Sequence, residues 1–183
     1  MKDLVKAGYL VRHQGKGTFI SRSRKDKLVR LSDNEVFSNK QEEDTVKVLK
    51  LQEEKQSEIL KKLGLPKYDS YYYIERLRLI GDTPFMVHRS FIPAKFINRN
   101  LAKDPNNYHS IYETLQSDKQ LYLFDEPFTE TDTIVKADSE ISKQLKIAKD
   151  YPVVRQVKKT ILSTTGEVVE LVIGYKRCDY FSI

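Results

Sequence analysis

Arg76 and Arg78 stand two residues apart in the run Ser70–Ile80, whose β-branched and aromatic content predicts a long strand. Side chains two apart on a strand share a face, so both guanidinium groups point the same way. They repel, and each brings donors that must be satisfied. Two arrangements solve this. One is an exposed face paired with carboxylates; the other is an anion site in which a phosphate or carboxylate bridges the two forks. By the same rule Glu170, Gly174 and Lys176 share one face of the run Val168–Arg177, opposite Tyr175.

Other chemistries find little support. There is no nucleophile-elbow sequence, HExxH, P-loop or dinucleotide fingerprint. The three histidines, His13, His88 and His109, show no metal-ligand spacing, and the lone Cys178 can form neither an internal disulfide nor a cysteine-rich metal site. No metal or cofactor is expected. Tyr71-Tyr72-Tyr73 offers rings for base stacking, although aromatics on a strand more often pack a sheet. Asp125, Glu126, Glu130 and Asp132 read as a solvated loop and strand edge rather than a metal site.

The elements that must position these groups alternate between strands and short helices. Val46, Val48 and Leu49 suggest a first strand; Ser57 caps a helix through Leu63, stopped by Gly64 with Pro66 beyond. Gly81-Asp82-Thr83-Pro84 turns the Ser70–Ile80 strand back into Phe85–Ile92. Ser110–Gln116 reads as helix, Thr129–Lys136 as strand, and Asp138 caps a helix through Ile147. Val153–Leu162, a turn at Thr165-Gly166 and Val168–Arg177 form a second hairpin. Hairpins interrupted by helices predict an α+β domain on an antiparallel sheet with peripheral helices.

The chain has 183 residues, 39% hydrophobic and 32% charged, which is a globular and not a disordered profile. No run approaches the roughly 18–20 apolar residues of a membrane span, and Met1–Lys6 lacks the apolar core of a secretory leader. A cytoplasmic location is the expectation. The net charge of +6 suits a polyanionic partner, and basic residues are dense near the start: Arg12, His13, Lys16, Arg22, Arg24, Lys25, Lys27 and Arg30. A solvated basic linker would carry the same charge. Around them, Tyr9-Leu10-Val11 and Thr18-Phe19-Ile20 are strand-like runs separated by Gln14-Gly15-Lys16-Gly17, after a short helix-like segment stopped by Gly8.

That order, Leu4-Val5-Lys6-Ala7-Gly8-Tyr9-Leu10 followed by Gln14-Gly15-Lys16-Gly17-Thr18-Phe19, resembles the recognition-helix tail and wing of GntR-family winged helix-turn-helix regulators. The resemblance implies that Arg12, His13, Gln14, Gly15 and Lys16 contact DNA. It also implies two preceding helices and most of a recognition helix that this sequence does not contain, so residues 1–21 are read as a C-terminal remnant of the DNA-binding domain. Residues 22–44, polar and with little periodicity, read as a linker.

Residues 45–183 carry a second resemblance. Glu75-Arg76-Leu77-Arg78-Leu79-Ile80, Pro84-Phe85-Met86-Val87 and Arg89-Ser90-Phe91-Ile92-Pro93 look like a UTRA effector-binding domain. Ser110-Ile111-Tyr112-Glu113 and Val169-Glu170 through Arg177-Cys178-Asp179-Tyr180-Phe181 follow in the expected order. The resemblance implies a chorismate-lyase-like fold, a HutC-like regulator acting as a homodimer on operator DNA, and a small anionic effector. It also implies that Arg76 and Arg78 line the pocket, with Ser110 and Tyr112 adding hydroxyl contacts; otherwise Ser110 is a helix cap and Tyr112 a core aromatic. His88 stands where the family often has Glu, and Tyr175-Lys176 where it often has two aromatics. His88 is assigned to the pocket by that position. Lys176 adds positive charge there or is a solvated lysine, and Glu170 takes a hydroxyl or an amine. The expected effector is a phosphorylated sugar or other small organic acid. The alternative is a chorismate-lyase-like enzyme acting on a small carboxylic acid.

Overall fold

The computed structural model describes residues 10–13, 17–20 and 44–180, which fall into two units. In the first, β1 (Leu10–His13) and β2 (Gly17–Ile20) pair antiparallel, with Leu10 opposite Ile20 and His13 opposite Gly17. The expected hairpin is therefore present. Its tip, Gln14, Gly15 and Lys16, lies outside the described residues, as do the segment before Leu10 and the linker.

The second unit is an open six-stranded antiparallel sheet. Its strands are β3 (Asp44–Glu54), β4 (Tyr71–Ile80), β5 (Thr83–Pro93), β6 (Phe128–Lys136), β7 (Pro152–Ile161) and β8 (Val168–Arg177), in the order β3-β4-β5-β8-β7-β6. The two expected hairpins are β4–β5 and β7–β8, and they join through β5 and β8 at the sheet centre. The α+β antiparallel expectation holds.

Three helices cover the sheet. α1 (Ser57–Leu63) and α3 (Ser139–Leu145) lie on one face. There Ile59, Leu60 and Leu63 pack with Tyr71, Phe91 and Leu171, and Ile141 and Leu145 with Val87 and Val153. α2 (Ile111–Lys119) covers part of the other face, where Ile111 and Leu115 pack with Tyr72, Ile74 and Ile92. Alternation makes this division: odd-numbered positions of β4 and β5 face α1 and α3, and even-numbered ones face α2.

Several boundaries differ from expectation, each for a local reason. Ser57 does not cap α1; Gln56 occupies the cap position, and no side chain accepts there. Gly64 does end it, at φ +70°, with its amide bonded back into the last turn. The first strand is longer than Val46–Leu49 suggested because a bulge between Val48 and Lys50 absorbs the break in alternation. Thr83 and Pro84 belong to β5 rather than to the turn. Asp138 caps α3 as expected, its Oδ1 accepting from the Ile141 amide at 2.8 Å, but the helix stops at Leu145.

Candidate functional site

Strand register converts the sequence into a grid on the face beneath α2. One row across the sheet is Val48, Arg76, His88, Gly174, Gln156 and Asp132. The next outward row is Val46, Arg78, Met86, Lys176, Val154 and Ile134; on the other side lies Leu51, Ile74, Ser90, Val172, Lys158 and Glu130. Beyond these, Glu170 stands opposite Thr160. Arg76, Arg78, His88, Glu170 and Lys176 thus share one face; for Arg76 with Arg78, and for Glu170 with Lys176, alternation predicts it.

This face is chemically unusual. Among the described residues eight polar or charged side chains are buried, and six of them lie here: His88, Ser90, Gln156, Thr160, Glu170 and Lys176. All six are on β5, β7 and β8, which are hydrogen-bonded on both flanks. Burying polar groups is costly unless they are satisfied. Such a concentration on one face of otherwise apolar strands marks that face as a candidate binding surface. Lys176 is only 5% exposed, so it is not a solvated lysine.

The roof is built by the segment entering α2. Arg76 Nη1 donates to the His109 carbonyl at 3.3 Å, which ties β4 to that segment. Three residues on, the Tyr112 ring lies 5.5 Å from the Lys158 ammonium of β7 and packs edge-on to Phe124 at 4.9 Å. Residues 109–112 therefore meet side chains of both β4 and β7 on this face. Ser110 occupies the α2 cap position without making a side-chain cap hydrogen bond, so its hydroxyl is not committed to the role that a simple cap would give it. The helix amides at this end favour negative charge. Arg78 is half-buried at the end of the face, its guanidinium 5.2 Å from the Phe85 ring centre. Neither arginine is splayed into bulk solvent.

Gly174 lets the floor close up. A Cβ there would meet His88 Cδ2 at 3.1 Å, Met86 Cε at 3.2 Å and Gln156 Oε1 at 3.5 Å. His88, Met86 and Gln156 lean across β8 because no side chain stands between them.

Sequence reasoning did not single out Ser90, Gln156, Thr160 or Glu130 as part of this region. Glu130 was read as solvated edge, but it is half-buried. Burial raises its carboxyl above the usual range, against a hydrogen bond from Gln156 and the nearby charges of Lys176 and Lys158. The sequence signal for the others is weak: single polar residues at even spacing from Arg76, His88 and Lys176 in otherwise apolar strands. Among the described residues no cluster of three or more His, Cys, Asp or Glu side chains could hold a metal ion.

The opposite face carries a separate network. Glu75, buried, accepts from Tyr73, from Gln144 of α3 and from Arg89 Nε at 3.1 Å, and Arg89 also lies 2.9 Å from Glu140. This network fastens α3 to the sheet.

An open antiparallel sheet with helices on both faces, and buried polar side chains gathered on one of them, is an α+β domain with a candidate binding surface. The chain belongs to the UTRA domain family, whose model matches residues 41–182. Solved structures agree on the fold. The C-terminal domain of the histidine utilization repressor from Pseudomonas syringae is 18% identical with a TM-score of 0.65, covering 77% of this chain and 96% of that one. A GntR-family transcriptional regulator from Bacillus cereus is 19% identical with a TM-score of 0.64, covering 76% and 95%. YydK, a possible transcriptional regulator from Bacillus subtilis, is 16% identical with a TM-score of 0.68, covering all of this chain and 78% of its own. No curated protein matches the sequence.

Proposed function

We propose that this chain is the effector-sensing part of a GntR-family, HutC-like transcription regulator, and that it binds a small anionic metabolite between the α2 roof and the polar floor. The observation that carries the reading is the gathering of six buried polar side chains on the face that α2 partly covers, bordered by two arginines on the same face. Arg76, Arg78 and the amino end of α2 take the anionic group; His88, Ser110, Tyr112, Glu170 and Lys176 contact the remainder. Residues 45–183 form the sensing domain and residues 22–44 the linker. Residues 1–21, with Arg12, His13, Gln14, Gly15 and Lys16 at the DNA, complete a winged helix. The regulator acts in the cytoplasm as a homodimeric repressor, and effector binding shifts the spacing of its winged helices on a palindromic operator. Ligand and operator affinities are then reciprocally coupled.

Membership of the UTRA family supports sensing over catalysis. Among the described residues no helix is long and apolar enough to cross a membrane. The test is thermal unfolding of the chain with a panel of sugar phosphates and small organic acids. A ligand at a hundred times its Kd raises stability by about 2.7 kcal/mol, and Arg76→Ala removes the shift. A stabilising ligand recovered chemically unchanged supports a sensor; release of pyruvate from chorismate would establish the enzyme instead. A full-length regulator whose operator affinity ignored every stabilising ligand would overturn the coupling.

A further inference from the structure

Two hydroxyl groups in the floor are spent in a way that an apolar core does not require. Ser90 is 0% exposed and Thr160 1% exposed, and neither Ser90 Oγ nor Thr160 Oγ1 has a hydrogen-bond partner among the described residues. Ser90 sits on β5 opposite Val172 of β8, and Thr160 sits on β7 opposite Glu170 of β8. The two hydroxyls therefore flank one stretch of β8, on the face that α2 partly covers. An alanine at Ser90 or a valine at Thr160 would fill the same space without an orphaned polar atom. A hydroxyl both donates and accepts, so it matches another hydroxyl and gains nothing from an alkyl chain. Glu170, also 1% exposed, lies between them in the grid as a strong acceptor.

We propose that Ser90 and Thr160 are specificity-determining residues that recognise the uncharged, hydroxyl-bearing part of the effector, so that this site selects a polyhydroxylated anion over one with an apolar tail. The inference rests on the reading of Arg76 and Arg78 as the anion-binding end, and adds a second recognition point on the far side of Gly174. A bare phosphate reaches only the first.

The experiment uses the full chain, three probes and three variants. Inorganic phosphate, hexyl phosphate and a set of hexose and pentose phosphates are titrated by calorimetry against the native chain, Ser90→Ala, Thr160→Val and Arg76→Ala. The native chain is expected to bind at least one sugar phosphate about tenfold or more tightly than hexyl phosphate, the value of one well-formed hydrogen bond. Ser90→Ala and Thr160→Val each lose about tenfold for that sugar phosphate and leave inorganic phosphate and hexyl phosphate unchanged. A purely structural role leaves the preference for that sugar phosphate over hexyl phosphate intact in both variants, which overturns the proposal; a rise in the unfolding temperature of the free variants follows from removing an unpaired hydroxyl under either reading. Hexyl phosphate binding as well as every sugar phosphate overturns it too, while leaving the anion reading in place. If Arg76→Ala binds all three probes normally, the anion reading itself fails and this inference falls with it; if no probe binds the native chain, this inference is overturned and the anion reading passes to the organic acids of the thermal panel.

Discussion

Adding one methyl group at Gly174 probes the floor where its geometry is tightest. The backbone there is not left-handed, so alanine brings no conformational strain, and exchanging Gly for Ala in a strand is by itself favourable by about 0.5–1 kcal/mol. Against this, the new Cβ would lie 3.1 Å from the His88 ring and 3.2 Å from the Met86 methyl. The Met86 end is flexible and gives way cheaply. The imidazole is held in the row between Arg76 and β8, at 3% exposure, and moves only by displacing its neighbours. Overpacking of this kind costs about 1–3 kcal/mol, so the net loss is about 1 kcal/mol. For a domain of this size that lowers Tm by about 2–4 °C. Urea unfolding measures it, and a double-mutant cycle with His88→Ala isolates the cause. In the His88→Ala background the same methyl should be neutral or stabilising, and effector affinity should fall with Gly174→Ala alone. If Gly174→Ala stabilises the chain equally in both backgrounds, the crowding argument is wrong.

On the opposite face, Arg89→Met leaves the Glu75 carboxylate buried with only neutral donors. It should cost about 3–5 kcal/mol, most of it recovered when Glu75→Gln is added; chemical unfolding showing no such coupling refutes the pairing. Asp138→Ala removes the α3 cap and should cost about 1 kcal/mol, read from the same unfolding curves. Burial pushes Tyr71 and Tyr108 up to about 12 from an ordinary 10.0, with the Glu54 hydrogen bond adding to the rise at Tyr71. Their protonated forms are favoured by folding, so that share of stability is complete below pH 10.0 and is lost as pH climbs towards 12. Following tyrosinate absorbance and unfolding together checks this. Buried tyrosines that titrate with the exposed ones would contradict it.

The two hairpins were legible because β-branched runs meet turn signals at Gly81-Asp82 and Thr165-Gly166, and the shared face of Arg76 and Arg78 followed from alternation alone. The union of those hairpins through β5 and β8 was not legible, since pairing between strands so far apart in sequence leaves no local trace. Segment 94–108 carries no sequence signal for a strand or a regular helix. It holds three 3₁₀ turns, too short for a periodic pattern, with Asp104 accepting from the Asn106 amide in the last of them. Ser90, Gln156 and Thr160 escaped notice for a related reason. One serine or glutamine in an apolar strand does not reveal which face it is on until the neighbouring strands are known. Glu130 was misjudged because its acidic neighbours suggested solvent, whereas Gln156 and Lys176 come to it from other strands.

The floor and the roof are fastened very differently. The three strands that carry the buried polar groups are stitched to neighbours along both edges. The segment entering α2 instead arrives through single-turn helices, held by the packing of Ile97, Tyr108 and Ile111 into the core on that face and by the Arg76–His109 hydrogen bond. A molecule seated between them would meet one surface held by a hydrogen-bonded ladder and another held by side-chain packing.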